Sequence, residues 1–378
     1  MKILLVITKA EIGGAQVFVL NLARSLQKLG YDVEVAAGSG DYLPIELSKE
    51  AIPFHYLKSL KRDVSITGTF FFIFDIWRLF KKNNYDVVHL NSSNTLISAI
   101  CARFVKISPK IIFTFHGLSL LDKNYEINIV AKFCTKMYFK LLLKFVDYSV
   151  FVSNLNYKES LSENLINSGE VILNGLDASK LDFIDNVEAR KYFSQKAGID
   201  LTNSFLVGST GRLAYQKNYE FLIDNFTKIK KVIPTIKFLI IGDGPNRKYY
   251  TEKIKKYNIK NDFILIGAIK DSYKYIKAFD LFTLPSRYEG LSISLIEAVF
   301  AEIPVLASEV GGNQEILGVN SEQMFILNDI NDYIYKLKLI NSDIEKYCMM
   351  NAKIKEKFAL DKMVADYKEI YLKCIADE

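Results

Sequence analysis

"KILLVITKAEIGGAQVFVLNLARSLQKLGYDVEVAA", residues 2–37, reads in order as a strand, a glycine turn, a helix and a second strand. KILLVI (2–7) is an aliphatic run of strand length, QVFVLNLARSLQKLG (16–30) spaces its apolar residues as a helix does, and DVEVAA (32–37) is strand-like again. The same alternation continues through YDVVHL, KIIFTF and DYSVFVS, which argues for a parallel sheet covered by helices on both faces. After an irregular segment near Asn174 to Asp182 it restarts: SFLVGSTGR, IKFLIIGDG, FILIG, LFTLPS and IPVLAS each end in Gly, Ser or Pro before a helical stretch. Two doubly wound α/β domains follow, as 378 residues also suggest.

Composition removes several classes. Half the residues are hydrophobic and 24% charged, enough apolar surface for two cores. The N-terminal apolar run is too short for a signal peptide, and no uncharged run of about 18 residues could span a bilayer. Cys101, Cys134, Cys348 and Cys374 show no C-x-x-C spacing, and His55, His89 and His116 no zinc pattern, so no metal site is expected. Net charge is +6, and residues 1–175 hold 20 Lys and Arg against 15 Asp and Glu. That modest excess lacks the dense basic patches of a nucleic-acid binder and suits an anionic membrane surface or a phosphorylated substrate.

Ligands of open α/β sheets bind beyond the carboxyl ends of the strands, where this chain collects its glycines. Gly13 and Gly14 lie between first strand and first helix, where backbone N–H groups can approach a phosphate; as a bare pair they are equally a plain turn. Arg212 and Lys217 flank the loop of STGRLAYQKN (209–218), two permanent cations able to clamp a diphosphate or simply to be solvated. In RYEGLSISLIE (287–297) Glu289 precedes a helix expected to start near Gly290, and Glu297 lies nearly two turns inside it. Eight helical residues turn through about 800°, so the two carboxylates are about 80° out of alignment and are not a same-face pair. Spacing leaves open a two-carboxylate hydrolase. A helix N-terminus at Gly290, Leu291 and Ser292, flanked by carboxylates for hydroxyls, would suit a sugar nucleotide.

Taken in order, these motifs resemble those of the family 4 retaining glycosyltransferases of GT-B architecture: GGA (13–15), TFHG (114–117), I-x-NG (172–175), GRL-x-x-x-K (211–217), GDGP (242–245), E-x7-E (289–297) and GGNQE (311–315). Leu173 stands where a proline often precedes NG, and Leu291 where Phe is frequent. The resemblance implies two Rossmann-like domains facing a central cleft, an acceptor domain at 1–175 and a donor domain at 176–359, with a C-terminal helix at about 360–378 crossing back to the first. It implies that Arg212 and Lys217 hold the donor diphosphate, that Glu297 takes the ribose hydroxyls and Glu289 those of the transferred sugar, and that His116 reaches that sugar from the opposite domain. Gly13, Gly14, Gly211, Gly242 and the Gly290–Ser292 N–H groups would line the donor site. The co-substrate would be a UDP- or GDP-sugar with no cofactor, and the acceptor a glycan such as a lipid-linked precursor of a surface polysaccharide. A nucleotide-sugar epimerase and a non-catalytic scaffold of the same fold are the alternatives.

Remaining residues have plainer expectations. Asp243, Pro245 and Arg247 should shape a turn, Asn174 and Gly175 a left-handed turn at the hinge, and Glu315 either a helix cap or the donor site. His55 and His89 read as satisfied structural histidines, and Trp77 as packed on the first sheet. Lys132, Lys136, Lys140 and Lys144 recur every fourth residue amid more apolar surface than one buried face needs, so this helix either packs with a solvated lysine face or lies on an anionic leaflet. A cytoplasmic protein, peripheral on the inner membrane face, is the corresponding location.

Overall fold

The computed structural model describes residues 1–61, 65–117, 122, 124, 125 and 128–376. The chain divides into two compact units, Met1–Gly175 with Leu360–Glu378, and Leu176–Ala359. Residues 377 and 378, the end of the expected C-terminal helix, lie outside the described residues.

Unit 1 contains strands β1 (Lys2–Ile7), β2 (Asp32–Ala37), β3 (Phe54–Tyr56), β4 (Val87–Leu90), β5 (Lys110–Phe115), β6 (Tyr148–Phe151) and β7 (Glu170–Val171). They form one parallel sheet in the order β3-β2-β1-β4-β5-β6-β7. Helices cover both faces, so β1 and β4 are buried along nearly their whole length and read as unbroken apolar runs. The first helix, Gly14–Lys28, buries Phe18, Leu22 and Leu26 on one of those faces. The C-terminal helix Leu360–Ala376 adds Met363, Tyr367, Ile370, Tyr371 and Cys374 to the same core, apolar positions three or four apart that make one helical stripe. Each such fully buried tyrosine contributes roughly 2 kcal/mol through its apolar area, provided its hydroxyl finds a partner. Tyr371 Oη bonds His89 Nδ1 at 2.7 Å, Thr114 Oγ1 takes His89 Nε2 at 2.7 Å, and Tyr367 Oη lies 3.0 Å from Thr114 Oγ1. His89 is therefore a satisfied core histidine, and burial holds its imidazole down at about 3.

Unit 2 contains β8 (Phe205–Thr210), β9 (Ile236–Ile241), β10 (Phe263–Gly267), β11 (Leu281–Leu284), β12 (Val305–Ser308) and β13 (Met324–Phe325), parallel in the order β10-β9-β8-β11-β12-β13. The winding direction reverses between β8 and β11, where the loops leaving neighbouring strands part and open a crevice.

One turn differs from expectation. Neither Asn174 nor Gly175 has a left-handed backbone. Gly175 N–H instead meets Met363 Sδ at 3.2 Å, and Leu176 N–H donates to Phe358 O at 2.8 Å, bridging in parallel to the residue pair Leu176 and Ala359. A left-handed turn is therefore not what joins the two units here, and the glycine's conformational freedom is unused.

Candidate functional site

The loops leaving β8 and β11 meet at the unit 2 switch point. Lys217 Nζ lies 2.6 Å from Glu289 Oε1, with the two side chains only 13% and 7% exposed. Ser286 Oγ donates to the same carboxylate oxygen at 2.6 Å, and Gln216 Nε2 donates to the other at 3.3 Å. Glu289 is thus held by three donors, two of them from the β8 loop. Arg287 clamps the two loops: its N–H donates to Gln216 O at 2.8 Å, Nη1 to Tyr215 O at 2.6 Å, and its guanidinium pairs with Glu220 and stacks on Tyr215 at 4.0 Å. Asn218, at φ 54°, reverses the β8 loop into the helix Tyr219–Asp224, a left-handed position asparagine tolerates. Arg212 is exposed on this loop.

Glycines behind the loops set how closely they pack. A Cβ on Gly242 would lie 1.9 Å from Gly211 O, and one on Gly244 2.4 Å from Leu213 O. Leu213 N–H donates to Asp243 O at 2.9 Å, and Asp243 Oδ1 accepts from Gly244 N–H at 2.7 Å, so Asp243 shapes this turn. On the other side, a Cβ on Gly311 would meet Glu289 O at 1.9 Å and one on Gly312 would meet Gly290 O at 1.8 Å. Gly242 and the Gly311-Gly312 pair therefore support the site loops from behind.

The helix after Glu289 begins at Ile293 and not beside Gly290, because Ser292 caps it, its Oγ accepting from Leu295 N–H at 3.4 Å. Gly290, Leu291 and Ser292 lie ahead of the first turn, and Glu297 stands one turn inside rather than nearly two. Part of the Glu297 side chain meets solvent, yet no described donor reaches its carboxyl and burial pushes it up to about 8. The two glutamates of E-x7-E thus occupy opposite electrostatic settings. Glu315 lies half-buried in the first turn of Asn313–Leu317.

In unit 1, Gly13 occupies the N-cap of the first helix without a side-chain cap, and no acidic residue sits in that helix's first turn. Its N–H groups suit an anion on dipole grounds. Phe18 of this helix packs edge-on against His116 at 4.7 Å between ring centres, and Asn91 Oδ1 lies 3.2 Å from His116 Nε2. Although His116 keeps some open surface, burial holds it at about 3, so the imidazole is neutral near pH 7.

The lysine-bearing helix spans Ile129–Leu143, with Lys144 as its C-cap. Its outward face is apolar: Phe133, Met137 and Leu141 are exposed while Phe139, Leu142 and Leu143 are buried. Lys132, Lys136 and Lys140 lie half-buried along its flank, and Lys136 pairs with Glu163 at 2.6 Å. Lys132, Lys136 and Lys140 run between its exposed and its buried apolar residues, and Lys144 at its end is exposed. No described helix is long and apolar enough to cross a membrane. Trp77 packs at the edge of the unit 1 core. His55 bonds Glu34 at 2.6 Å.

Sequence reading missed Ser286, Gln216 and Arg287, and on the other unit Phe18. Ser286 and Arg287 precede Glu289 in the SRYEG stretch, so a charged residue beside a strand end was the available signal. Phe18 carried none.

The order of each sheet and the site at the switch point define a class, two Rossmann-like domains of GT-B type. A solved structure of Anabaena HepE in complex with UDP and glucose has this fold, with a TM-score of 0.81 at 18% identity over 99% of this chain and 100% of that one. The Glycosyltransferase Family 4 model matches residues 12–180 and the Glycosyl transferases group 1 model residues 192–357. With one model on each unit, the chain belongs to the family 4, group 1 glycosyltransferases. Among its relatives are the UDP-Gal:alpha-D-GlcNAc-diphosphoundecaprenol alpha-1,3-galactosyltransferase of Escherichia coli, 27% identical over 85% of this chain and 84% of that protein. The O-antigen biosynthesis glycosyltransferase WbnH of Escherichia coli is 25% identical over 97% and 98%.

Proposed function

We propose that this glycosyltransferase moves a sugar from a UDP-sugar to a lipid-linked glycan, with retention of anomeric configuration and without a metal ion. The observation that carries the reading is the Lys217–Glu289 pair at the unit 2 switch point, a cation for the diphosphate beside a carboxylate for sugar hydroxyls. Lys217 and Arg212 would take the charge that gathers on the departing diphosphate, with the helix N-terminus beyond Ser292 assisting. Glu297, which no described donor reaches, suits ribose hydroxyls, and neutral His116 can exchange hydrogen bonds with a substrate hydroxyl without adding charge. In the step we favour, the acceptor oxygen bonds the anomeric carbon on the face the diphosphate leaves, and a departing phosphate oxygen takes the acceptor's proton. Glu289 is bound by three donors, which suits holding better than nucleophilic attack.

The UDP and undecaprenyl diphosphate named for the relatives support UDP and a lipid-linked acceptor, for which the helix Ile129–Leu143 would rest on an anionic leaflet. Thermal melts with UDP, GDP and ADP test the donor reading: UDP at about 100 times its Kd should stabilise the protein by about 2.7 kcal/mol. No response to UDP, or an equal response to GDP, overturns that assignment.

A further inference from the structure

The helix Ile66–Lys82 turns aromatic residues outward. Phe70, Phe71 and Phe74 are 68%, 60% and 52% exposed, although Phe72, Ile76 and Phe80 of the same helix already fill its buried face. The surface continues onto the segment after the helix Ser98–Ala102. Trp77 lies 6.3 Å from Phe74 between ring centres and its Nε1 donates to Phe104 O at 3.2 Å, while Phe104 is 73% exposed. Soluble monomers rarely leave such a contiguous patch uncovered.

Its charge selects the occupant. Arg78, Lys81, Lys82 and Lys106 are all exposed beside the aromatics, and Lys81 Nζ stands 5.0 Å over the Trp77 ring. The one acid of the helix, Asp75, is half-buried and accepts from Ser59 Oγ at 2.5 Å. A second copy docking through this face would bring like charges together, whereas an anionic bilayer offers acyl chains to the rings and phosphates to the cations. We propose that this face, centred on Phe70, Phe71, Phe74 and Phe104, is a membrane-docking surface whose rings enter the interfacial layer of an anionic leaflet. It rests on the lipid-linked acceptor reading and adds an aromatic anchor separate from the helix Ile129–Leu143.

Trp77 is the chain's single tryptophan, so its emission reports on this face alone. Full-length protein is mixed with vesicles of phosphatidylcholine, with or without phosphatidylglycerol, and with brominated acyl chains for quenching. Anionic vesicles should shift Trp77 emission to the blue and brominated lipid should quench it. Replacing the four phenylalanines (F70S, F71S, F74S and F104S) should weaken partitioning by about tenfold or more, with the UDP melting response retained as proof of folding. Sedimentation with anionic vesicles while Trp77 stays unquenched would overturn the proposal and leave the lipid-linked reading intact, since docking would then use another face. No sedimentation with any vesicle would sink both, and a retained UDP response would show that the donor reading had survived. A blue shift that grows with protein concentration in the absence of lipid would mean that copies pair through this face, and would also overturn it.

Discussion

Glu297→Gln isolates the carboxyl that burial has pushed up. In the folded chain this group titrates at about 8 in place of 4.5, so between those values the folded form keeps a proton that the unfolded form has lost. Its effect on stability is nil below pH 4.5, becomes a growing loss as pH rises toward 8, and is constant above that. At about 1.4 kcal/mol per pH unit the ceiling is about 5 kcal/mol. Solvent at the open side of the carboxyl reduces this to roughly 2–3 kcal/mol. Glutamine keeps the shape and removes the titration. Denaturant unfolding should therefore find the two proteins equally stable near pH 4.5 and the variant more stable by roughly 2–3 kcal/mol at pH 9. Histidine titration is common to both and cancels in the difference. If ribose hydroxyls donate to the ionised carboxylate, UDP must expel the proton. Calorimetry at pH 7 in buffers of different ionisation enthalpy should then show more proton released per UDP by the native protein than by the variant, the difference coming from Glu297. Parallel stability profiles from pH 5 to 9 would refute the buried neutral carboxyl, and UDP binding without proton release would refute its ribose role.

Lys217→Ala leaves Glu289 buried with only Ser286 and Gln216 for partners, and should cost roughly 2–4 kcal/mol of stability and at least about 100-fold in kcat. The double variant Lys217→Met with Glu289→Gln should recover much of that stability but none of the activity; additive losses in denaturant unfolding would show that the two groups do not act as a pair. Gly312→Ala places a methyl where Gly290 O stands, 1.8 Å away, and should destabilise by roughly 2–4 kcal/mol while weakening UDP affinity measured by calorimetry. An unchanged melting temperature would show that the loop has room to move.

The fold was legible because strands buried on both faces must be apolar throughout, so β1, β4, β8 and β9 appear as unbroken runs between helical spacings. The location of the site was legible for a related reason, since strand ends carry the glycines. Which way a glycine's missing side chain faces is a matter of packing between distant loops, so no local pattern shows that a Cβ on Gly242 would meet Gly211 O. The first turn of the Ile293–Phe300 helix was displaced by a conspicuous glycine, although Ser292 was the better cap on chemistry alone. The lysines spaced by four suggested a polar stripe, and only the buried side of the helix decides where that stripe falls.

The ion pair between Lys217 and Glu289 joins residues 72 apart in sequence, and no local pattern encodes it. It changes what E-x7-E means. Lys217 is already neutralised, so among the described residues the permanent charge of the β8 loop with no carboxylate partner is Arg212, which is exposed and would meet an incoming diphosphate first. A phosphate can draw Lys217 only in competition with Glu289, and a buried carboxylate that loses a cation needs replacement donors. Hydroxyls of a transferred sugar are such donors, while a nucleoside diphosphate without its sugar brings only ribose hydroxyls, which the proposed reading assigns to Glu297. On the proposed reading, the pair therefore favours an intact nucleotide sugar over its leaving group, which couples engagement of the diphosphate to the presence of the sugar to be moved.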